Sequence, residues 1–199
     1  MFARTERLLL RPSWPEDAHA IHAAVADQCV VRNLALVPWP YTHEDAAAFA
    51  TRDQDFDYPN FMLMLRTDGA PRLIGSCGLA RREGAVELGY WISRPFWGQG
   101  FATEAGRAVI DIARVLGHQR LVSGHFTDNP ASGRVLRKLG FRPTGRTEQR
   151  FSAGRGRTAN CALFERPLTA DADIQPGALC DIAMPSRPAL ADPMMPRAA

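Results

Sequence analysis

Two stretches carry residue types and spacings suited to chemistry. The first is Gly98-Gln99-Gly100-Phe101-Ala102-Thr103, which follows a strand-like run and opens a clean helical pattern. Small residues at alternate positions let backbone N–H groups approach a ligand closely. A helix N-terminus adds partial positive charge, so the stretch is suited to holding phosphate. A loop that merely needs glycine dihedrals would have the same composition. The second is Glu87, in the middle of the apolar run Ala85 to Ser93. Alternation puts Glu87, Gly89, Trp91 and Ser93 on one strand face and Val86, Leu88, Tyr90 and Ile92 on the other. An unpaired carboxylate is costly to bury. Glu87 therefore serves as a general base in a cleft, pairs with an arginine, or faces solvent.

Three nucleotide-like ligands compete for the glycine loop. A P-loop requires Lys and Ser/Thr after its last glycine, and Phe101 follows Gly100. A dinucleotide fingerprint requires a third glycine where Thr103 stands and a strand directly before Gly98, where Arg94-Pro95-Phe96-Trp97 intervenes. The pyrophosphate of coenzyme A remains.

Composition narrows the class. The 199 residues suffice for one well-buried core. No apolar run approaches the roughly 20 residues of a membrane helix, and the leucines near the N-terminus are too few for a signal peptide, so a cytoplasmic protein is expected. A net charge of +3 gives no argument for nucleic acid, and all but Lys138 of the 24 basic residues are arginine. Four scattered cysteines imply free thiols rather than disulfides or zinc. His19 and His22 offer half a metal site that no partner residues complete, so no metal is expected.

The elements that must position these groups follow from period and punctuation. A strand at Arg7 to Pro12 precedes Ser13 and Glu16, spaced as a capping box, and a helix reaching about Val31. Thr42 and Asp45 start a second helix through about Asp53. Phe61–Arg66, Leu73–Ala80 and Ala85–Ser93 form an antiparallel meander with turns at Asp68-Gly69 and Glu83-Gly84. After the glycine loop comes a helix ending at Gly117, then a strand at Leu121–Phe126 parallel to Ala85–Ser93. Asn129 caps a further helix with Pro130 at its first position and Gly140 beyond its end. Strands near Thr144–Phe151 and Thr158–Glu165 complete the domain, 1–168. The Pro- and Ala-rich remainder, 169–199, is expected to be a poorly ordered tail.

Four segments in order, TERLLLRP (from Thr5), VPWPYTHEDAAAF, VELGYWISRPFWGQGFATEA and NPASGRVLRKLGF (to Phe141), resemble the GNAT superfamily of N-acetyltransferases. The likeness is to its RimJ/RimL-type branch of ribosomal-protein N-terminal acetyltransferases and extends to Leu168. The glycine loop resembles the superfamily's Q/R-x-x-G-x-G/A pattern, with Gly100 and Ala102 in the last two positions and Trp97 in the first, a departure from the broad pattern that is usual in this branch. The resemblance implies an α/β fold with a mixed, mostly antiparallel seven-stranded sheet, helices on both faces, and a cleft between two splayed parallel strands. It implies acetyl-CoA as co-substrate, held by Trp97 to Thr103 (Trp97, Gly98, Gln99, Gly100, Phe101, Ala102, Thr103), by backbone groups of Trp91, Ile92 and Ser93, and by Asn129.

Many members of the superfamily carry a tyrosine acid where this chain has Leu136, and the branch suggests Ser132 as the proton donor instead. Trp39 and Tyr41 fall where the fold walls its acceptor cleft, or else they staple the core. Arg146, Arg150, Arg155 and Arg157 favour an acidic substrate or form a solvated strand edge. The expected partner is an amine acceptor, a peptide N-terminus or a small molecule, and a homodimer is left open. A peptide α-amine, of pKa about 7.7–8.0, is about a tenth neutral at pH 7, whereas a lysine-type amine near 10.4 lies about 3.4 kcal/mol further away. The first therefore needs only a weak base. The alternative is a non-catalytic acyl-CoA-binding domain of the same fold, which the missing tyrosine favours and which Glu87 and Ser132 oppose.

Overall fold

The hydrophobic pattern changes period near residue 60, and the computed structural model turns there from helices to sheet. It describes residues 1–168; the tail expected over 169–199 lies outside the described residues. Strands β1 (Ala3–Arg4), β2 (Leu8–Arg11), β3 (Asn60–Leu65), β4 (Arg72–Arg82), β5 (Ala85–Ile92), β6 (Arg120–Phe126), β7 (Arg142–Ser152) and β8 (Arg157–Pro167) form one sheet, in the order β1-β2-β3-β4-β5-β6-β8-β7. Eight strands stand where seven were expected. The extra one is Ala3–Arg4, paired with Leu10 and Leu9, and two residues are too few to leave an alternating pattern. The β4–β5 hairpin turns through Glu83 at φ 49° and Gly84 at φ 80°, the left-handed pair that suits a two-residue hairpin.

Helices lie on both faces. Helices α1 (Ala18–Val25), α2 (Gln28–Val31) and α3 (His43–Ala50) share a core with Met62, Met64 and Leu73. Helices α4 (Phe101–Val115) and α5 (Pro130–Lys138) pack on the other face, over Leu10, Leu63, Leu88, Leu121 and Phe164. Thr42 and Asp45 cap α3 reciprocally, as their spacing predicts: Thr42 Oγ1 accepts from the Asp45 N–H at 3.1 Å and Asp45 accepts from the Thr42 N–H at 2.9 Å. That helix stops at Ala50 rather than near Asp53.

Two local expectations fail. The first capping carboxylate is Asp17, not Glu16, and it accepts from the Trp14 N–H at 2.8 Å. Asp17 is fixed there by a two-pronged pair with the buried Arg11, at 2.6 and 2.7 Å. The helix expected to reach Val31 breaks after Val25. Asp27 accepts from the Cys29 N–H at 2.7 Å and restarts the chain as α2, so Cys29 stands on a separate helix from Ile21 and Val25.

Among the described residues the neighbours β5 and β6 are the only parallel pair in the sheet, and their ladder is a single register pair, Glu87 opposite Val122. Just beyond it the Ser123 hydroxyl donates to the Leu88 carbonyl at 2.8 Å. After that the strands part, which opens the expected cleft.

Candidate active site

The glycine loop leaves the C-terminal end of β5, and the Asn129–Ser132 turn leaves the C-terminal end of β6, so both stand at the mouth of the gap. In the loop Gly98 has φ 77° and Gly100 φ 85°, values that L side chains avoid. Gly100 is the N-cap of α4, and its carbonyl accepts from the Thr103 and Glu104 N–H groups, both at 3.0 Å. The N–H groups of Phe101 and Ala102, ahead of these, have no helical carbonyl to donate to. A Cβ built on Gly98 meets nothing within 4 Å: the backbone here borders open space. Such a cradle fits a diphosphate.

The loop is locked from three sides. The Trp97 indole N–H donates to the Ile92 carbonyl at 2.6 Å, which ties the loop to the strand end, and Gln99 Nε2 donates to the Pro95 carbonyl at 3.0 Å. Phe101 is buried against Phe96, with the Arg7 guanidinium 4.3 Å above its ring. Glu104, an acid in the first turn, is neutralised by Arg7 at 2.7 Å and accepts a hydrogen bond from the Thr5 hydroxyl at 2.5 Å. Burial raises the Glu104 pKa, but the hydrogen bonds from Thr5 and Arg7 outweigh it and hold the carboxyl below its usual range. Thr5 and Arg7, nearly a hundred residues earlier in the chain, thus anchor the loop. Of the strand residues assigned to the coenzyme, Ser93 is committed to the fold: its N–H donates to the Ile74 carbonyl at 2.8 Å and its carbonyl accepts from Phe96. Trp91 packs toward the core under α1–α3.

Across the gap, the Asn129 side chain accepts from the Ser132 N–H at 3.3 Å and caps α5. The Ser132 hydroxyl sits 2.8 Å from the Tyr90 hydroxyl. Leu136, which fills the position of the familiar tyrosine acid, is fully buried. Tyr90 went unnoticed in the sequence because alternation places it among apolar neighbours.

Glu87 is paired. Arg150 donates to it at 2.7 Å and Arg82 approaches to 3.6 Å, while both guanidiniums also hold Glu148 at 2.9 Å. The Arg150 side chain is 14% exposed and that of Glu87 19%. Burial lowers the Arg150 pKa, but the Glu87 and Glu148 carboxylates outweigh it and the net shift is upward. Arg150 crosses the sheet over Gly124, where an added Cβ would meet the Cys161 sulfur at 2.8 Å. Arg155 is likewise internal, 7% exposed, and grips Asp128 with both terminal nitrogens at 2.8 Å. Asp128 also takes Arg32 at 2.9 Å, and Arg155 Nε donates to the Arg32 carbonyl at 2.6 Å. Neither Arg150 nor Arg155 is a solvated edge residue or a free receptor for an acidic substrate.

The Asp128 cluster has a pH signature. Hydrogen bonding from Arg155 outweighs burial and, with the Arg155 charge and a lesser contribution from Arg32, lowers the Asp128 pKa from 3.8 to about 2. The folded value lies below the unfolded one. The stabilisation is therefore complete above the unfolded value and is lost as the pH falls through about 2. In acid unfolding followed by circular dichroism, Asp128→Asn is expected to remove part of the slope between pH 4 and 2 and leave the rest of the profile intact.

On the acceptor side, Trp39 is 41% exposed, whereas Tyr41 is buried in the α1–α3 core. The Tyr41 ring stacks on His22, and its carbonyl lies 3.1 Å from His22 Nε2. Tyr41 thus staples the core and does not line a cleft. His22 and His19 stack on His43, with ring centroids 3.7 and 5.6 Å apart, so they join α1 to α3. Among the described residues no group of three His, Cys, Asp or Glu is arranged to hold a metal.

Comparison with known proteins agrees with this geometry. Residues 7–142 match the family model of the acetyltransferase (GNAT) domain. The chain is 32% identical over 148 residues to the uncharacterized N-acetyltransferase YoaA of Bacillus subtilis (strain 168), covering 71% of this chain and 82% of that one. A GNAT-family acetyltransferase from Bacillus anthracis superposes with a TM-score of 0.72 at 23% identity, over 84% of this chain and 99% of the other. RimL, a ribosomal alpha-N-protein acetyltransferase solved in complex with coenzyme A, gives 0.68 at 19% identity, over 84% and 98%. With the family pattern matched over most of the domain and the fold reproduced around the glycine loop, the chain belongs to the GNAT family of acetyltransferases, enzymes that take their acetyl group from acetyl-CoA.

Proposed function

We propose that the protein transfers an acetyl group from acetyl-CoA directly to a primary amine in a ternary complex, and that a peptide α-amine is the acceptor class. When bound, acetyl-CoA supplies an activated thioester. The first-turn N–H groups at Phe101 and Ala102, with Gly98 and Gly100, hold its diphosphate. Asn129 keeps the first turn of α5 facing the gap, and Ser132 holds a proton at Oγ for the departing sulfur.

One observation carries the acceptor class: Arg150 and Arg82 already engage the Glu87 carboxylate. A carboxylate with one oxygen, Oε1, already facing two guanidiniums gives only weak help in removing a proton, through water at most. An α-amine, about a tenth neutral at pH 7, needs no more, while a lysine-type amine does. The likeness to RimL supports the same reading. Coenzyme release measured over a panel of free-amine peptides, Nα-blocked lysine peptides and polyamines tests it. Turnover is expected with free N-termini, and Glu87→Gln is expected to lower kcat less than about tenfold, below the roughly 10²–10⁴-fold that a full general base supplies. Turnover confined to lysine peptides or polyamines overturns the acceptor class. Tight coenzyme binding with no turnover on any amine supports the non-catalytic alternative.

A further inference from the structure

Ser132 is the only hydroxyl side chain on α5, and one turn further along Leu136 is sealed in the core, so the helix offers no second proton donor there. The Tyr90 Oη lies 2.8 Å from the Ser132 Oγ and 3.2 Å from the Ser132 carbonyl oxygen. Tyr90 comes from β5 and Ser132 from the helix that follows β6, so the pair spans the place where the two strands part. The Tyr90 ring packs against the core. Burial pushes its phenol far above the usual range, and the Ser132 hydrogen bond offsets this only in part. The phenol stays neutral, with one proton to donate.

That proton has two acceptors. If it goes to the Ser132 carbonyl, the Ser132 hydroxyl donates to Oη, and its own proton points away from the gap. If it goes to Oγ, the Ser132 proton is freed to face the gap.

We propose that Tyr90 is a positioning residue for Ser132, a phenol supplied by the strand that directs the serine proton toward the coenzyme sulfur. The inference rests on the acetyl-transfer reading above. In the step it implies, Ser132 gives its proton to sulfur as the C–S bond breaks, the bonding pair going to sulfur. Ser132 takes up the proton that the acceptor nitrogen sheds as the C–N bond forms. The Tyr90 O–H donates to Oγ throughout and steadies the charge there, so Tyr90 ends the cycle as it began.

Tyr90→Phe removes Oη alone. In the coenzyme-free protein, Tyr90→Phe and Ser132→Ala are expected to lower the unfolding midpoint non-additively, the double variant being no worse than the poorer single one. Calorimetry should give an acetyl-CoA Kd within about threefold of wild type for Tyr90→Phe. With acetyl-CoA, kcat should fall at least about tenfold with the acceptor KM unchanged, less than the roughly 10²–10⁴-fold of the general acid itself, as suits a residue that positions it. With the acetyl thioester of an acidic aryl thiol, whose sulfur departs without needing a proton, Tyr90→Phe and wild type should turn over alike. Additive midpoints, or an equal loss of rate with both donors while wild type is active, overturn the role of Tyr90 and leave the acetyl-transfer reading standing. Wild type that acetylates no amine with either donor overturns both.

Discussion

Gly100→Val is expected to raise the Kd for acetyl-CoA about a hundredfold in calorimetry while the protein stays folded. Two effects combine. Gly100 sits at φ 85°, where an L side chain costs roughly 1–2 kcal/mol and a β-branched one more, so the loop rotates to relieve the strain. Rotation swings the first-turn N–H groups of α4 away from the diphosphate, and each hydrogen bond to a charged group is worth about 1.5–3 kcal/mol. Losing one such bond gives a tenfold to hundredfold change, and a misdirected cradle loses at least one. The fold tolerates the change because a Cβ on Gly100 touches only the end of the Arg7 side chain, at 3.6 Å. Gly156→Ala is the control. It places a side chain at φ 63° in open space between β7 and β8, so it should lower stability by a similar strain with no effect on Kd. An unchanged Kd for Gly100→Val would remove the loop from the coenzyme site.

The second large effect belongs to Arg150. Arg150→Met leaves Glu87 and Glu148 facing each other with only Arg82 between them. Breaking a buried ion pair by removing one partner costs about 3–5 kcal/mol, and Arg82, 2.9 Å from Glu148 and 3.6 Å from Glu87, reduces this to about 2 kcal/mol. For a domain of this size that lowers Tm by about 4–8 °C. Combining it with Glu87→Gln removes the stranded charge and should recover most of the loss, since replacing both partners of such a pair is close to neutral. A Tm within one degree of wild type for Arg150→Met would mean that the cluster is solvated and that Glu87 is free to act as an unpaired base. The acceptor preference would then shift toward more basic amines.

Much of this was legible in the chain because it is local. The β4–β5 hairpin is written in Glu83-Gly84, the start of α5 in Asn129-Pro130, and the loop before α4 in glycines that must adopt left-handed dihedrals. Each signal concerns a backbone that its own residues shape. The parts that escaped depend on partners distant in sequence. Arg150 meets Glu87 from 63 residues away, passing beside Gly124 on its way across the sheet. Tyr90 looks like one more core residue on an alternating strand until the fold brings Ser132 to it across 42 residues. Tyr41 carries the composition of a binding loop, but the His22 ring claims it. The capping carboxylate moved from Glu16 to Asp17 for a different reason: Arg11, only six residues earlier, is buried and pairs with Asp17, and the spacing of a capping box does not register that pairing.

The lone ladder pair between β5 and β6 leaves the width of the gap to side chains. On one side of it stands a meander with its helices, on the other a three-stranded unit, and each is internally hydrogen-bonded. Charged struts, Arg82–Glu148 and Glu87–Arg150, span the two. A change in strut length or charge there adjusts the aperture without disturbing any backbone ladder. On the proposed reading, acceptor choice is thus free to drift by single substitutions while the glycine loop, shaped by its own backbone, stays fixed.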